Sequence, residues 1–326
     1  MIKKYLAVGA LTGLAACSGG EFLFPDGEDE ETPVATTTYS NEVNKVEYDS
    51  ENDELVINNL PFDGPDGVYE RVQDRTEVNG FGVYTSLQTE ETGQRRYYAV
   101  FRRTENGAVS AVSSSSYRNF GFGGTSIART NDLTTMPTEG EYVYSGLYGG
   151  VRTFSDRSGL ELVKGDVLLE VDIADFDETG AVEGRVNNRV AYDVGGVPLR
   201  PMPNIIFTTT SIAADTGVIE EGTASTIVEG ATRDTGTYQG LFVGKDGEEI
   251  VGTVSLTGTF HAYRIIETVD VTDDEGNVTQ EERALPYTEL LAIRAAGDQE
   301  RLDRIEISET SEGYQARELG VFTTAD

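Results

Sequence analysis

The sequence predicts an all-β protein, and three observations carry that expectation. Helix signals are scarce, and from about Val43 onward short apolar or alternating runs are separated by Gly, Asn and Asp. In "DVLLEVDI", Val167, Leu169, Val171 and Ile173 fall on one side while Asp166, Glu170 and Asp172 fall on the other. That is the period of a half-buried strand. In "GTYQGLFVGKDGEEIVGTVSLTG", two apolar runs flank the turn-like segment Gly244–Glu249. An Asp-Gly step between such runs is the strongest short-range hairpin signal. Consecutive hairpins with one polar face avoid open edges by closing on themselves, so the second half predicts a barrel.

The first element is an address. Lys3 and Lys4 precede "YLAVGALTGLAAC", an apolar run too short to span a bilayer. Residues 1–16 therefore read as a signal peptide. Leu14-Ala15-Ala16-Cys17 resembles the lipobox of bacterial lipoproteins, in which the cysteine is lipidated and becomes the first mature residue. The resemblance implies lipidation at Cys17, and Ser18 in place of an Asp after it implies the outer membrane. Residues 17–38 then form an acidic, Thr-rich tether.

Beyond the tether, residues 39–137 predict strands near Lys45–Tyr48, Glu54–Ile57, Gly82–Leu87, Tyr97–Arg103 and Ala108–Ser113. "TENG", Thr104–Gly107, is the turn between the last two. "TNDLTTMPTEG" breaks the pattern and places a domain boundary there. Residues 138–326 add strands through Val167–Ile173, Val182–Val190, Ile205–Ser211, Gly217–Glu221, Thr237–Gly244, Glu249–Gly258 and Thr259–Val269. Residues 286–308 fit helical turns through Leu290, Ile293, Leu302 and Ile305, or a hairpin about "AGDQE"; the hairpin is the expectation.

Composition excludes several functions. Among 326 residues, 57 Asp and Glu oppose 25 Lys and Arg, a formal net charge of -32. Nucleic acid and anionic membrane faces need the reverse. One cysteine allows no intramolecular disulfide, and any Cys/His zinc site or Ser/His/Asp triad would have to use the lone His261. Asp-Thr-Gly occurs at Asp215–Gly217 and Asp234–Gly236, 19 residues apart, too close for the two lobes of an aspartic protease. Both are expected to be strand-connecting turns. "GFGG" lacks nucleotide-binding spacing, and "DGEDEE" and "DDEGN" lack the ligand spacing of a calcium loop. His261 or a tyrosine is the residue type that would ligate haem iron, although a strand position between Phe260 and Tyr263 is an ordinary place for a histidine. Tyr142, Tyr144 and Tyr148 are expected to pack around the barrel or its rim.

"GEYVYSGLYGG", "VLLEVDIADFDETGAVEGRV" and the Gly-Tyr hairpin together resemble the C-terminal barrel domains of the transferrin-binding protein B family of surface lipoproteins; factor H-binding proteins have a similar barrel. In that family a Gly-x-Tyr/Phe-x-Gly strand turns and returns through Glu-x-x-Gly. The matching positions are Gly236, Tyr238 and Gly240, then Glu249 and Gly252. The resemblance spans roughly Gly140–Phe260; the turn "GKDGEE" departs from it, and the full receptor subunits are two-lobed and longer. It implies a β-rich handle-like domain at 39–137 and an eight-stranded antiparallel barrel at 138–326. It also implies a non-enzymatic, lipid-anchored outer-membrane protein, surface-exposed and without cofactor. Its loops would capture a host or environmental protein, or a haem or iron carrier. The alternatives are a periplasm-facing, envelope-organising lipoprotein, and a hydrolase built on paired carboxylates.

Overall fold

Two antiparallel sheets account for nearly all regular structure in the computed structural model. It describes residues 37–41, 43–63, 67–72, 77–86, 95–114, 119–131, 133, 135–155, 159–176, 179–213, 215–272 and 276–325. The expected signal peptide, Cys17 and nearly all of the tether lie outside the described residues.

The first sheet contains β1 (Thr37–Asn41), β2 (Lys45–Asp49), β3 (Glu54–Asn58), β4 (Val68–Arg71), β5 (Glu77–Val78), β6 (Phe81–Thr85), β7 (Tyr97–Arg103), β8 (Gly107–Ser114) and β9 (Gly123–Arg129). They follow the order β1-β9-β8-β7-β6-β4-β3-β2, with β5 paired to β6, a curled sheet that stops short of closing. The expected turn at Thr104–Gly107 joins β7 to β8, and the Thr104 hydroxyl accepts the Gly107 N–H at 2.9 Å. Strands β6 and β8 are buried at every position. One side packs on the sheet's own core around Leu55, Tyr69, Tyr97 and Phe101. The other side, with Val83, Val100, Val109 and Ile127, packs against Val151, Leu241, Val251 and Val321 of the second sheet. Burial on both faces explains why these strands read as continuous apolar runs rather than alternating ones.

The second sheet contains β10 (Gly140–Phe154), β11 (Leu160–Phe176), β12 (Thr179–Tyr192), β13 (Pro198–Pro201), β14 (Ile205–Ala213), β15 (Val218–Val228), β16 (Ala231–Val243), β17 (Glu249–Thr272), β18 (Val278–Ala284) and β19 (Ile305–Thr323). Its order is β11-β10-β19-β17-β16-β15-β14-β12, and β11 pairs with β12 to close an eight-stranded barrel, with β13 and β18 as side ribbons. The Gly-Tyr hairpin is β16 and β17, in register from Asp234 opposite Gly258 to Val243 opposite Glu249. It is barrel wall.

A barrel of this size is filled by side chains rather than solvent. Tyr148, Phe207, Tyr238 and Phe322 are fully buried inside, with Tyr238 stacked on Phe207 at 4.4 Å between ring centroids. Such rings need glycine beside them. A Cβ at Gly222 would lie 2.4 Å from the Tyr238 ring, and one at Gly252 would lie 2.1 Å from the Phe322 ring. The glycine-aromatic rhythm is thus a space requirement of the barrel.

The interior also holds charge. Glu318 is paired with Arg189 and with Arg152 (3.2 Å), and it accepts the Tyr148 hydroxyl at 2.6 Å. Burial pushes the Glu318 carboxyl up, but Arg189 and Arg152 together outweigh it and hold it below its ordinary value. Asp234 accepts from the Thr226 hydroxyl and lies 3.8 Å from Arg152. Glu161 is paired with Arg200, whose guanidinium lies 4.1 Å over the Phe260 ring.

Two expectations are corrected here. Asp234-Thr235-Gly236 is not a turn: it lies inside β16, because Asp234 is drawn into the charged interior and Gly236 lets β17 approach, a Cβ there falling 1.7 Å from the Ser255 carbonyl oxygen. Residues 286–308 are not a hairpin. They form α1 (Tyr287–Ala296) and α2 (Gln299–Leu302) before β19 begins. Tyr287, Leu290 and Ile293 recur at helical spacing and bury against Ile265 and Leu285, while Gly297, at φ 68°, ends α1 as a left-handed cap. In addition, Glu249–Gly258 and Thr259–Val269 are one strand, β17, which leaves the barrel and continues into an arm with β18, β19 and the helices. Glu267 fastens the arm: it accepts from Arg301 Nε at 2.6 Å and from Arg283 at 2.6 Å.

Three outcomes are expected. Gly252→Val overpacks the barrel and costs about 1–3 kcal/mol, measured by urea unfolding. Arg189→Met leaves Glu318 short of a buried partner and costs about 3–5 kcal/mol by the same measurement. Arg301, then Arg283, pull the Glu267 carboxyl down to about 2 from its ordinary 4.5. Its contribution to stability is therefore complete above that ordinary value and is lost as pH falls through the lower one. Urea midpoints measured down that acid range should decline, and Glu267→Gln should flatten part of the decline.

Candidate binding surface

The loop between β3 and β4 displays an aromatic ring on a strained backbone. Asn59, Phe62 and Gly67 all have positive φ, at 75°, 64° and 63°. For a bulky side chain such as Phe62 this is costly and persists only where the surroundings over-determine it. They do. The Arg95 N–H donates to the Phe62 carbonyl at 2.6 Å, the Tyr97 hydroxyl to the Pro61 carbonyl at 2.9 Å, and the Tyr69 hydroxyl to the Asp63 carboxylate at 3.1 Å. Asp63 and Tyr69 are buried, and burial pushes the carboxyl of the one and the hydroxyl of the other up. Gly67 is needed, since a Cβ there would lie 2.3 Å from the Ile57 carbonyl oxygen. The product of this framework is a Phe62 side chain that stays 60% exposed.

The second surface is the barrel mouth at the start of β10. The Tyr142 hydroxyl donates to the Glu139 carbonyl at 2.9 Å and the Tyr144 hydroxyl to the Gly247 carbonyl at 2.9 Å, so both rings are fixed at the rim. Burial, with smaller contributions from Tyr142 and Glu248, pushes the Tyr144 hydroxyl up to about 12, so it remains a donor. Val143, between the two, is 70% exposed. Concavities of about 400 Å³ and 410 Å³ flank it. Their carboxylates include Glu141, Glu170 and Glu183 on one side and Asp246 and Glu248 on the other.

The two surfaces sit at opposite ends of β7. Arg95, which holds Phe62, precedes Tyr97 at one end. Thr104, at the other end, donates to the Glu249 carboxylate at 2.8 Å, at the base of the β16–β17 hairpin. Glu249, the first residue of the returning strand β17, thus ties the barrel to the first sheet. Burial pushes its carboxyl up, with Thr104 opposing.

The other sequence candidates are distributed, not gathered. Tyr148 lies in the barrel core, whereas Tyr142 and Tyr144 are at the rim. His261 lies on β17 opposite Gly313. Asp215 is exposed in a turn closed by Gly217 at φ 64°, while Asp234 pairs across from Thr226 further along β15. At strand rise these carboxylates are roughly 25 Å apart, too far to share a proton. Among the described residues, no three of His, Cys, Asp and Glu are grouped to hold a metal ion. "DGEDEE" and most of "DDEGN" lie outside the described residues. Phe62 was not foreseen from sequence; its signal is a large apolar residue inside the turn-forming "PFDG".

No family model matches the chain, and no curated protein matches it. Among solved structures it is similar to two forms of the vaccine antigen transferrin binding protein B from Haemophilus parasuis Hp5, a double mutant and a single mutant. Both are 13% identical, at TM-scores of 0.35 and 0.36, over 92% of this chain and 47% of theirs. It is also similar to a protein described as a surface lipoprotein, 13% identical at a TM-score of 0.33, over 68% of this chain and 93% of that one. The chain spans about half the length of the transferrin-binding protein structures it matches.

Proposed function

We propose that this is a lipid-anchored binding protein of the outer membrane, held through Cys17, that captures a protein partner at the cell surface. The carrying observation is Phe62: an exposed aromatic ring on a backbone held in costly conformation by two buried tyrosines and a carboxylate. Rigid aromatic side chains contribute large contact area with little conformational entropy to lose, which is why they anchor interfaces. The address rests on Leu14-Ala15-Ala16-Cys17 and on Ser18, and acyl chains at Cys17 would supply the anchor. The partner class that the sequence resemblance implies is a host or environmental protein, including a carrier of iron or haem. The interior carboxylates support this reading over a hydrolase, since Glu318, Asp234 and Glu161 are buried in ion pairs with arginines.

Protease shaving of intact cells carrying a C-terminal epitope tag tests the address. Loss of the tag while a periplasmic control survives places the barrel outside. Protection until the outer membrane is breached favours the periplasm-facing alternative. Cys17→Ala should move the chain from the membrane fraction to the soluble fraction. Phe62→Ala should shift stability by less than about 0.5 kcal/mol, as an exposed residue does, yet weaken capture of extracellular protein by about 2 kcal/mol, close to thirty-fold. Pull-down on intact cells reads the second effect.

A further inference from the structure

The start of β10 is an open sheet edge. Gly140–Gly146 pair with β11 alone, and pairing with β19 begins only at Leu147 opposite Thr323. Among the described residues, the backbone of these seven residues makes no other strand pairing, which leaves an edge roughly 24 Å long. Most exposed edges are blunted by lysine, proline or a covering loop. Here the Gly146 end is closed by the Thr323–Thr324 backbone and Pro137 stands across the neighbouring concavity, while Gly140–Val143 and Ser145 are exposed and none of the seven is lysine or proline. The edge presents Tyr142 and the 70% exposed Val143, and a concavity of about 410 Å³ runs beside it toward the β16–β17 turn.

Charge says what would fit. In register, Glu141 faces Asp172, and Glu170 faces Glu183. Like charges directly opposite each other on a sheet destabilise it. On the other side of the edge stand Asp246 and Glu248, lining the concavity. Among the described residues, Arg185 lies 3.3 Å from Glu170, and Lys245 is exposed in the β16–β17 turn. An incoming strand beside β10 with lysine or arginine at alternate positions would bring positive charge next to Glu141 on the outer face. Its remaining positions, on the opposite face, would lie beside Tyr142, whose register partner Val171 belongs to the barrel core, and its backbone would satisfy the open edge.

We propose that the Gly140–Gly146 edge of β10 accepts an extended, cationic segment of a partner protein as an added strand. This surface is separate from the Phe62 loop, at the other end of β7, and its occupancy does not depend on where the chain resides in the cell.

The test uses the full-length protein in detergent and a blocked Lys-Val-Lys-Val-Lys-Val-Lys peptide, with binding read by titration calorimetry. A matched peptide carries backbone N-methyl groups at alternate residues, which preserve charge but remove strand hydrogen bonds. The first peptide should bind saturably, and the N-methylated one at least about tenfold more weakly. Asp246→Lys with Glu248→Lys should weaken the first by a similar factor, while Phe62→Ala should leave it unchanged. Equal binding of both peptides would mean charge attraction without strand addition and would overturn the proposal. So would no binding, or binding seen only after residues 18–36 are deleted, which would make the chain's own tether the occupant. A self-associated dimer that the peptide fails to dissociate would overturn it equally. The peptide comparison needs no variant to fold.

Discussion

Glu318, caught between Arg189 and Arg152 inside a closed barrel, is the interaction on which the rest of the structure depends. Closure of β11 on β12 removes the interior from water, so every charge left there has to be answered by another. Arg189 comes from β12, Arg152 from β10 and Glu318 from β19, which brings together strands that are far apart in the chain. Breaking such a cluster is expensive, and a one-residue slip of any of these strands would break it. The pairing therefore works as a register lock more than as a source of net stability.

The outer wall of the same strands is equally committed. Odd-numbered neighbours of the interior residues, Val151 on β10 and Leu319 and Val321 on β19, form the surface on which the first sheet sits. Arg129 reinforces the joint by donating to the Phe242 carbonyl at 2.7 Å, and Thr104 does so through Glu249. Strands β10 and β19 thus send one set of side chains into the barrel and, along the stretch the first sheet covers, the other into that sheet. Neither sheet has a spare face on this side, and the surfaces available for recognition are pushed out to loops and rims.

Much of this was legible in the sequence, for identifiable reasons. Alternation along Val167–Ile173 and the Asp-Gly hairpin report local geometry, and both strands lie where the pattern put them. The misreadings came from residues whose local preference serves two geometries. Gly297 suits a hairpin turn and a helix cap alike, and only the packing of Leu290 and Ile293 on Ile265 decides between them. Asp234 and Gly236 look like turn residues because their actual reasons, an arginine across the barrel and a carbonyl on the next strand, are non-local. Phe62 was invisible for the same cause: its constraint is supplied by Tyr69, Tyr97 and Arg95, which sequence spacing does not bring together.

Strand β17 runs unbroken from the barrel into the arm, but its pairing with β19 slips between His261 and Tyr263. Such a bulge bends a strand and re-aims the residues beyond it. The slip is an even one, two residues of β17 from His261 to Tyr263 against four of β19 from Gly313 to Glu309, so alternation along each strand is kept. In the barrel the even-numbered Val254 and Leu256 join the interior core while the odd-numbered Val251 is covered by the first sheet; in the arm the odd-numbered Ile265 and Glu267 are the buried positions, so β17 keeps its alternation and changes what covers each face. One extra or missing residue at this corner would therefore turn the arm inside out while leaving its strands paired: Ile265 would lose its seat against Leu290, and Glu267 would point away from Arg301. The corner hands the strand from one cover to another, and the length of the chain through it is as much a part of the fold as any side chain.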